Sequence, residues 1–270
     1  MCRDCGCDQA NQKAQENHSH LFYSGQTYLL HRHAPRRAKT SPALPIHQER
    51  RKVLEHAILA KNDGIAAQNR TWFEQQRMRV LNLISSPGSG KTALLEKTVR
   101  HLALESPEFK MAILAGDQER EFDTLRLRAV GAEVLQLNTG SACHLDASMI
   151  RKELGKFVRP EHRLLIIENV GNLVCPAAFD LGENEKVALL STTEGEDKPS
   201  KYPLLFREAS LIVLTKMDLM PYLNWSLELC EQHIRKVNAT APILCLSSKT
   251  GEGLGVWCDF LKLGKAVPQS

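Results

Sequence analysis

The sequence predicts an α/β domain: a mostly parallel β-sheet with helices on both faces, preceded by an N-terminal tail and a helical arm. Three observations carry this. From residue 78 onward, short apolar runs alternate with segments of helical spacing, and strands covered on both faces read as continuous apolar runs. One of these runs passes through a loop rich in Gly and Ser directly into a helical pattern. The 270 residues are 43% hydrophobic, enough for one such core with further segments attached.

In chain order, residues 1–7 carry three cysteines, Cys2, Cys5 and Cys7. Residues 8–46 are rich in Gln, Asn, Ser, His, Arg and Pro and show little periodicity, so a flexible linker is expected, with Pro35, Pro42 and Pro45 breaking any helix. His18, His20, His31, His33 and His47 are spaced for weak metal binding at most. Over 47–77, Val53, Leu54, Ala57, Ile58, Ile65, Ala66, Trp72 and Phe73 recur at helical spacing, giving the arm, with Gly64 as an expected interruption. The main domain is expected over 78–270. Its strands are read at Val80–Ile84, Met111–Ala115, Glu133–Leu137, Leu164–Glu168, Val187–Ser191, Leu211–Leu214 and Ile243–Leu246, with a helix over Ala93–Leu104.

Charge and composition exclude several classes. Residues 1–52 hold nine Lys or Arg against four Asp or Glu, and the remainder holds 26 against 27. The body is therefore not a basic nucleic-acid surface, and the tail is either solvated or touches acidic partners. No run of eighteen apolar residues exists, so no membrane span is expected. The start, Met-Cys-Arg-Asp-Cys-Gly-Cys, lacks the apolar stretch of a secretory signal, so a cytoplasmic protein with free thiols is expected. Cys230, Cys245 and Cys258 read as small core residues.

The loop after the first strand, Ser85-Ser86-Pro87-Gly88-Ser89-Gly90-Lys91-Thr92, is a phosphate cradle in the right context. Small residues Ser86, Gly88, Ser89 and Gly90 let several N–H groups face one anion, and the following helix adds its dipole. Lys91 reaches the β- and γ-phosphates and Thr92 ligates Mg²⁺. Ser85 stands where the usual pattern has Gly. After another strand comes Thr215-Lys216-Met217-Asp218, similar to the Asn-Lys-x-Asp motif. A carboxylate at Asp218 matches the two N–H donors of guanine, which adenine lacks, so GTP or GDP is the expected ligand. Lys216 packs its stem on the base, and Ser247-Ser248-Lys249 resembles the loop that contacts guanine O6. For Mg²⁺ and hydrolysis the candidates are Asp117, Asp123 in a polar loop, and Glu168. No Gln follows Gly171, which points to slow intrinsic hydrolysis.

Two metal sites are expected. Cys2, Cys5 and Cys7 with the α-amine form a donor set that suits Ni²⁺ or Zn²⁺. Cys143 and His144 follow one strand and Cys175 follows the next. Parallel strands end at one edge, so these loops meet near the nucleotide.

The Cys-x-x-Cys-Gly-Cys start, the phosphate loop, the segments Asn138–Asp146 and Glu168–Pro176, and Thr193-Glu194-Gly195-Glu196-Asp197-Lys198-Pro199 together resemble the HypB family of nickel-incorporation GTPases, a branch of the SIMIBI-class P-loop proteins. The resemblance implies GTP-gated nickel delivery during hydrogenase maturation. It implies a nucleotide- or metal-dependent homodimer, a companion nickel chaperone (HypA) and the hydrogenase large-subunit precursor as partners. Gln118–Asp123 departs from the family's usual switch sequence. Competing readings are a related urease or cobalamin metallochaperone GTPase, a nickel or zinc storage protein with nucleotide as structural ligand, and a small-molecule kinase on the same loop.

Overall fold

A computed structural model describes residues 18–23, 26–31, 45–117, 122–140 and 142–264. The chain divides into two units between residues 53 and 54. In the first, β1 (His18–Tyr23) and β2 (Gln26–His31) pair antiparallel, His18 opposite His31. The stretch expected as a plain linker thus contains a hairpin.

α1 (Pro45–Gln75) is one helix of 31 residues, and it corrects two expectations. Pro45 begins the helix instead of breaking it, because the N–H at the first helical position has no intrahelical acceptor to lose. Gly64 does not interrupt it. A helical glycine costs about 1 kcal/mol, less than the contacts that hold the C-terminal half of α1. Ala66 and Phe73 are fully buried. Asn69 Nδ2 donates to the carbonyls of Ala147 and Leu181 at 2.9 and 3.1 Å, and Asn62 Oδ1 accepts the Ala147 N–H at 2.9 Å. Arg70 grips both oxygens of Asp180 at 2.9 and 2.8 Å.

The second unit is built on β3 (Arg79–Ser85), β4 (Met111–Asp117), β5 (Glu133–Asn138), β6 (Leu164–Glu168), β7 (Glu185–Ser191), β8 (Ala209–Thr215) and β9 (Ile243–Cys245). They form one parallel sheet in the order β5-β4-β6-β3-β7-β8-β9. The helices are α2 (Lys91–Glu105), α3 (Phe122–Ala129), α4 (Ala147–Glu153), α5 (Cys175–Ala178), α6 (Lys198–Lys201), α7 (Pro203–Glu208), α8 (Leu227–Val237) and α9 (Leu254–Leu263).

Alternate strand residues go to opposite faces. Leu81, Leu83, Ile113, Ile166, Leu189 and Val213 pack with α2, α3 and α9 on one face. Val80, Leu114 and Ile167 pack with Phe73 of α1 and Ile150 of α4 on the other, where Ile84, Leu190 and Leu214 also meet α7 and α8. Two-sided burial explains the near-continuous apolar runs. Cys230 and Cys258 are fully buried within this core, and desolvation pushes both thiols up to about 12. Among the described residues no helix is long and apolar enough to cross a membrane.

Parallel strands bring their C-terminal ends to one edge. There β3 opens into the phosphate loop, β4 ends at Asp117, β5 leads to Cys143, β6 ends at Glu168 and β8 at Thr215. Asp123 does not lie in a loop, as expected, but in the first turn of α3. Its carboxylate there complements the exposed N–H groups of the helix start.

Candidate nucleotide and metal site

Gly88 (φ 75°) and Gly90 (φ 95°) both lie in the left-handed region, open to glycine at low cost. Gly90 precedes α2 and offers no side-chain cap, so the first-turn N–H groups of α2 stay available to an anion. Neighbours hold the loop in shape. Thr215 Oγ1 donates to the Ser89 carbonyl at 2.7 Å and Lys216 Nζ to the Gly88 carbonyl at 2.7 Å. Ser89 Oγ lies 2.8 Å from the Ser86 carbonyl and 2.9 Å from Glu194 Oε1.

A cavity of about 530 Å³ opens over this loop, lined among others by Lys91, Thr92, Asp117, Asp123, Arg126 and Glu168. Lys91 Nζ donates to Ser85 Oγ at 2.7 Å, so the serine at the loop's first position holds the lysine. Burial lowers the Lys91 pKa, against the pull of Glu168, Asp123 and Glu194. Burial likewise raises Glu168, against the hydrogen bond from Thr92 and the charge of Lys91. A phosphate would favour the charged lysine and a divalent cation the carboxylate. Thr92 Oγ1 donates to Glu168 Oε1 at 2.7 Å, while Glu168 Oε2 is buried with no hydrogen-bond partner among the described residues. Two hard oxygens, one of them orphaned, fit Mg²⁺. Asp123 is bonded to Arg126 at 3.1 Å, and Arg126 also pairs with Glu96 at 2.9 Å.

A second cavity, of about 320 Å³, shares Gly90 with the first and is lined by Lys216, Asp218, Ser248 and Lys249. Ser247 Oγ donates to Asp218 Oδ1 at 2.6 Å, which orients the carboxylate. Lys249 Nζ lies 3.9 Å from Asp218 Oδ2. Lys216 has φ 59°, a strained backbone for a residue other than glycine.

Beyond the phosphate cavity, one donor atom each from Cys143, His144 and Cys175 lies within 4.8 Å of the others. The two sulfurs are 2.9 Å apart, and His144 Nδ1 is 3.7 Å from Cys143 Sγ. The His144 ring lies against Phe179, centroids 3.9 Å apart and tilted by 32°, and burial lowers its pKa despite Asp146, the direction that favours the neutral form a metal ligand needs. Cys175 is raised by its hydrogen bond with Cys143 and by burial. Two thiol donors and an imidazole suit Ni²⁺ or Zn²⁺. Asp146 Oδ1 accepts the Met149 N–H at 2.8 Å and so caps α4, fixing the end of this loop.

Residues 79–245 match the family model described as the CobW/HypB/UreG nucleotide-binding domain. The chain belongs to this family. Within it, the chain is 42% identical to the hydrogenase maturation factor HypB of Azotobacter vinelandii, over 97% of this chain and 92% of that one. It is 48% identical to HypB of Escherichia coli K12, over 80% and 73%. Among solved structures, HypB from Helicobacter pylori in complex with nickel superposes with a TM-score of 0.69, at 36% identity, over 78% of this chain and 99% of that one. HypB from Archaeoglobus fulgidus gives 0.70, at 39% identity, over 76% and 98%.

For this HypB-family chain, the residues expected from sequence fall into three groups by position. Ser86 to Thr92, Asp117, Asp123 and Glu168 gather at or beside the larger cavity, and Lys216, Asp218 and Ser247 to Lys249 at or beside the smaller one. Cys143, His144 and Cys175 form the cluster. Cys2, Cys5 and Cys7 lie outside the described residues. Three contributors have no role assigned from the sequence, although Glu194 and Asn169 lie in segments that carry the resemblance: Glu194, which holds Ser89; Arg126, which pairs with Asp123; and Asn169, which accepts the Leu145 N–H. Arg126 had a local signal, its i, i+3 spacing from Asp123.

Proposed function

We propose that this chain is a slow GTPase that carries nickel for the maturation of [NiFe]-hydrogenase, with the nucleotide state gating metal transfer and dimerisation. The supporting observation is the thiol–imidazole cluster at the same sheet edge as the phosphate loop. Family membership adds to it, since the HypB relatives are named hydrogenase maturation factors and one is solved with nickel.

In this reading Asp218, oriented by Ser247, selects guanine, with Lys216, Ser248 and Lys249 around the base. Lys91 and the loop N–H groups hold the phosphates. Thr92 and Glu168 hold Mg²⁺, which neutralises charge on the phosphates, with Asp117 in support. Asp123 exchanges its Arg126 partner for a role near the attacking water. Cys143, His144 and Cys175 hold the cargo ion, Ni²⁺ or Zn²⁺, while Cys2, Cys5 and Cys7 form a separate loading site. HypA and the hydrogenase large-subunit precursor are the partners, in the cytoplasm. One HypB relative, from Helicobacter hepaticus at 39% identity, is named a hydrogenase/urease maturation factor, which favours urease as a second client.

The test is GTP turnover together with Ni²⁺ titration, once with GDP and once with a non-hydrolysable GTP analogue. Measurable turnover and a nucleotide-dependent nickel affinity are expected. Absent turnover with nickel bound equally in both states would leave a storage protein.

A further inference from the structure

Asn169 sits between the two halves of this site. It follows Glu168 at the end of β6 and is almost completely buried. Its Oδ1 accepts two backbone N–H groups: Val170 at 3.0 Å and Leu145 at 3.3 Å. Val170 lines the phosphate cavity, and the next residue, Gly171, lies so close to the phosphate loop that a Cβ there would stand 2.9 Å from Pro87 Cα. Leu145 is the residue after His144, and its side chain is fully buried. One oxygen therefore ties the wall of the phosphate cavity to the metal loop.

The rest of Asn169 is anchored. Its own N–H donates to the Leu83 carbonyl at 3.1 Å, and Nδ2 donates to Asn82 Oδ1 at 3.1 Å. Asn82 Nδ2 donates in turn to Glu183 Oε1 at 3.1 Å, and Glu183 Oε2 accepts the Leu181 N–H at 2.6 Å. A buried polar chain in a low-dielectric interior tolerates few arrangements, because each unmet partner is costly. The amide plane is fixed from behind, so a shift of Val170 changes the acceptor offered to Leu145.

We propose that Asn169 is the positioning residue through which the phosphate site sets the geometry of the Cys143–His144–Cys175 donors. It acts through Val170 and Leu145, not by touching the ion. When the β6 loop turns toward a γ-phosphate, the Val170 N–H leaves Oδ1, the Leu145 N–H gains that oxygen alone, and the His144 backbone is drawn with it. This rests on the nucleotide-gated reading above and names the residue that carries the gating.

The experiment uses the full chain with Cys2→Ser, Cys5→Ser and Cys7→Ser, so that Ni²⁺ reports the inner site alone. The readout is the ratio of Ni²⁺ affinities with GDP and with a non-hydrolysable GTP analogue. A ratio cancels any uniform weakening, which a merely structural role would cause. In the parent protein a ratio of about fivefold or more, in either direction, is expected. In Asn169→Ala, which leaves both N–H groups without that acceptor, it should fall below about twofold. A folded Asn169→Ala protein with the parent ratio overturns the inference while leaving gating intact. A parent ratio of one removes the gating reading and this inference with it. Should Asn169→Ala not fold, amide exchange in the unsubstituted chain decides: Leu145 and Val170 protection should differ between the two nucleotide states, and unchanged protection at both overturns the proposal.

Discussion

Gly171→Ala adds one methyl group at the closest approach of the β6 loop to the phosphate loop. Gly171 has no positive φ, so the substitution carries no backbone strain, and its whole effect comes from contact. The new Cβ would stand 2.9 Å from Pro87 Cα and 3.0 Å from both Pro87 Cγ and Pro87 N. Ordinary contact begins near 3.4 Å, so a backbone must yield by several tenths of an ångström. Two of the three atoms are main chain, flanked by the loop's own hydrogen bonds, and cannot swing aside. Overpacking of this kind costs about 1–3 kcal/mol. Placed on the phosphate cradle, that cost should appear as weaker GDP binding by about fivefold to a hundredfold. The assay is GDP titration by calorimetry, with a urea midpoint to register any cost borne by the fold. Gly64→Ala is the control: its Cβ meets nothing within 4 Å in α1, and a helical alanine should stabilise by about 0.5–1 kcal/mol. If Gly171→Ala matched the parent in both GDP affinity and urea midpoint, the reasoning from this contact would be refuted.

Four further outcomes follow from the same geometry. Asp218→Asn should weaken GTP binding by about 10²- to 10⁴-fold, through loss of two charge-assisted bonds, and shift preference toward xanthosine nucleotides; competition binding that still ranks GTP first by the parent margin would count against the assignment. Lys91→Ala should lower GTP turnover by at least about 10²-fold in a phosphate-release assay, and parent-like turnover would remove the phosphate-loop role. In the chain with Cys2, Cys5 and Cys7 replaced by Ser, Cys143→Ala should abolish nickel binding on titration while GDP affinity stays within about threefold; retained nickel binding there would dissolve the cluster. Burial pushes the Asp180 carboxyl up, but the Arg70 hydrogen bond and the Gly182 N–H outweigh it and hold Asp180 below the usual range. A depressed carboxylate contributes stability above its unfolded pKa of about 3.9, and loses it as pH falls through the folded value. Arg70→Gln should therefore lose less stability on acidification than the parent, read from urea midpoints between pH 7 and 3, and parallel curves would contradict the pairing.

What could be read in the sequence is local. Gly88-Ser89-Gly90-Lys91-Thr92 and Lys216-Met217-Asp218 are contiguous, and each residue type has one physical use there. The strands were legible because burial on both faces leaves unbroken apolar runs. The hairpin was missed although Ser24-Gly25, a turn dipeptide, stands between aromatic and aliphatic runs; the surrounding polar composition outweighed it. The Asn169–Asn82–Glu183 chain could not be assembled from sequence, because its bonds join residues 87 and 101 positions apart. It left one trace, a lone Asn82 inside Val80-Leu81-Asn82-Leu83-Ile84. An isolated amide in a fully buried strand must find partners, and that question leads toward Asn169. Arg126 and Glu194 act by holding other site residues, and such roles follow from packing more than from motif.

The docking of α1 and α9 bears on how this catalytic core can be inherited or borrowed. The family match ends at residue 245 and begins at 79, yet Phe73 fills the cluster on one face of the sheet and Trp257 the cluster on the other. Each fully buried aromatic is worth about 1.5–3 kcal/mol, and Trp257 Nε1 also donates to Thr98 Oγ1 at 2.9 Å, within the helix that follows the phosphate loop. Segments flanking the match thus complete the core on which the match folds. The nucleotide-binding region is not a portable module: a fusion or rearrangement that carried residues 79–245 alone would bare apolar surface on both faces of the sheet. The folding unit is larger than the recognisable one, and the C-terminal half of α1 is part of its foundation.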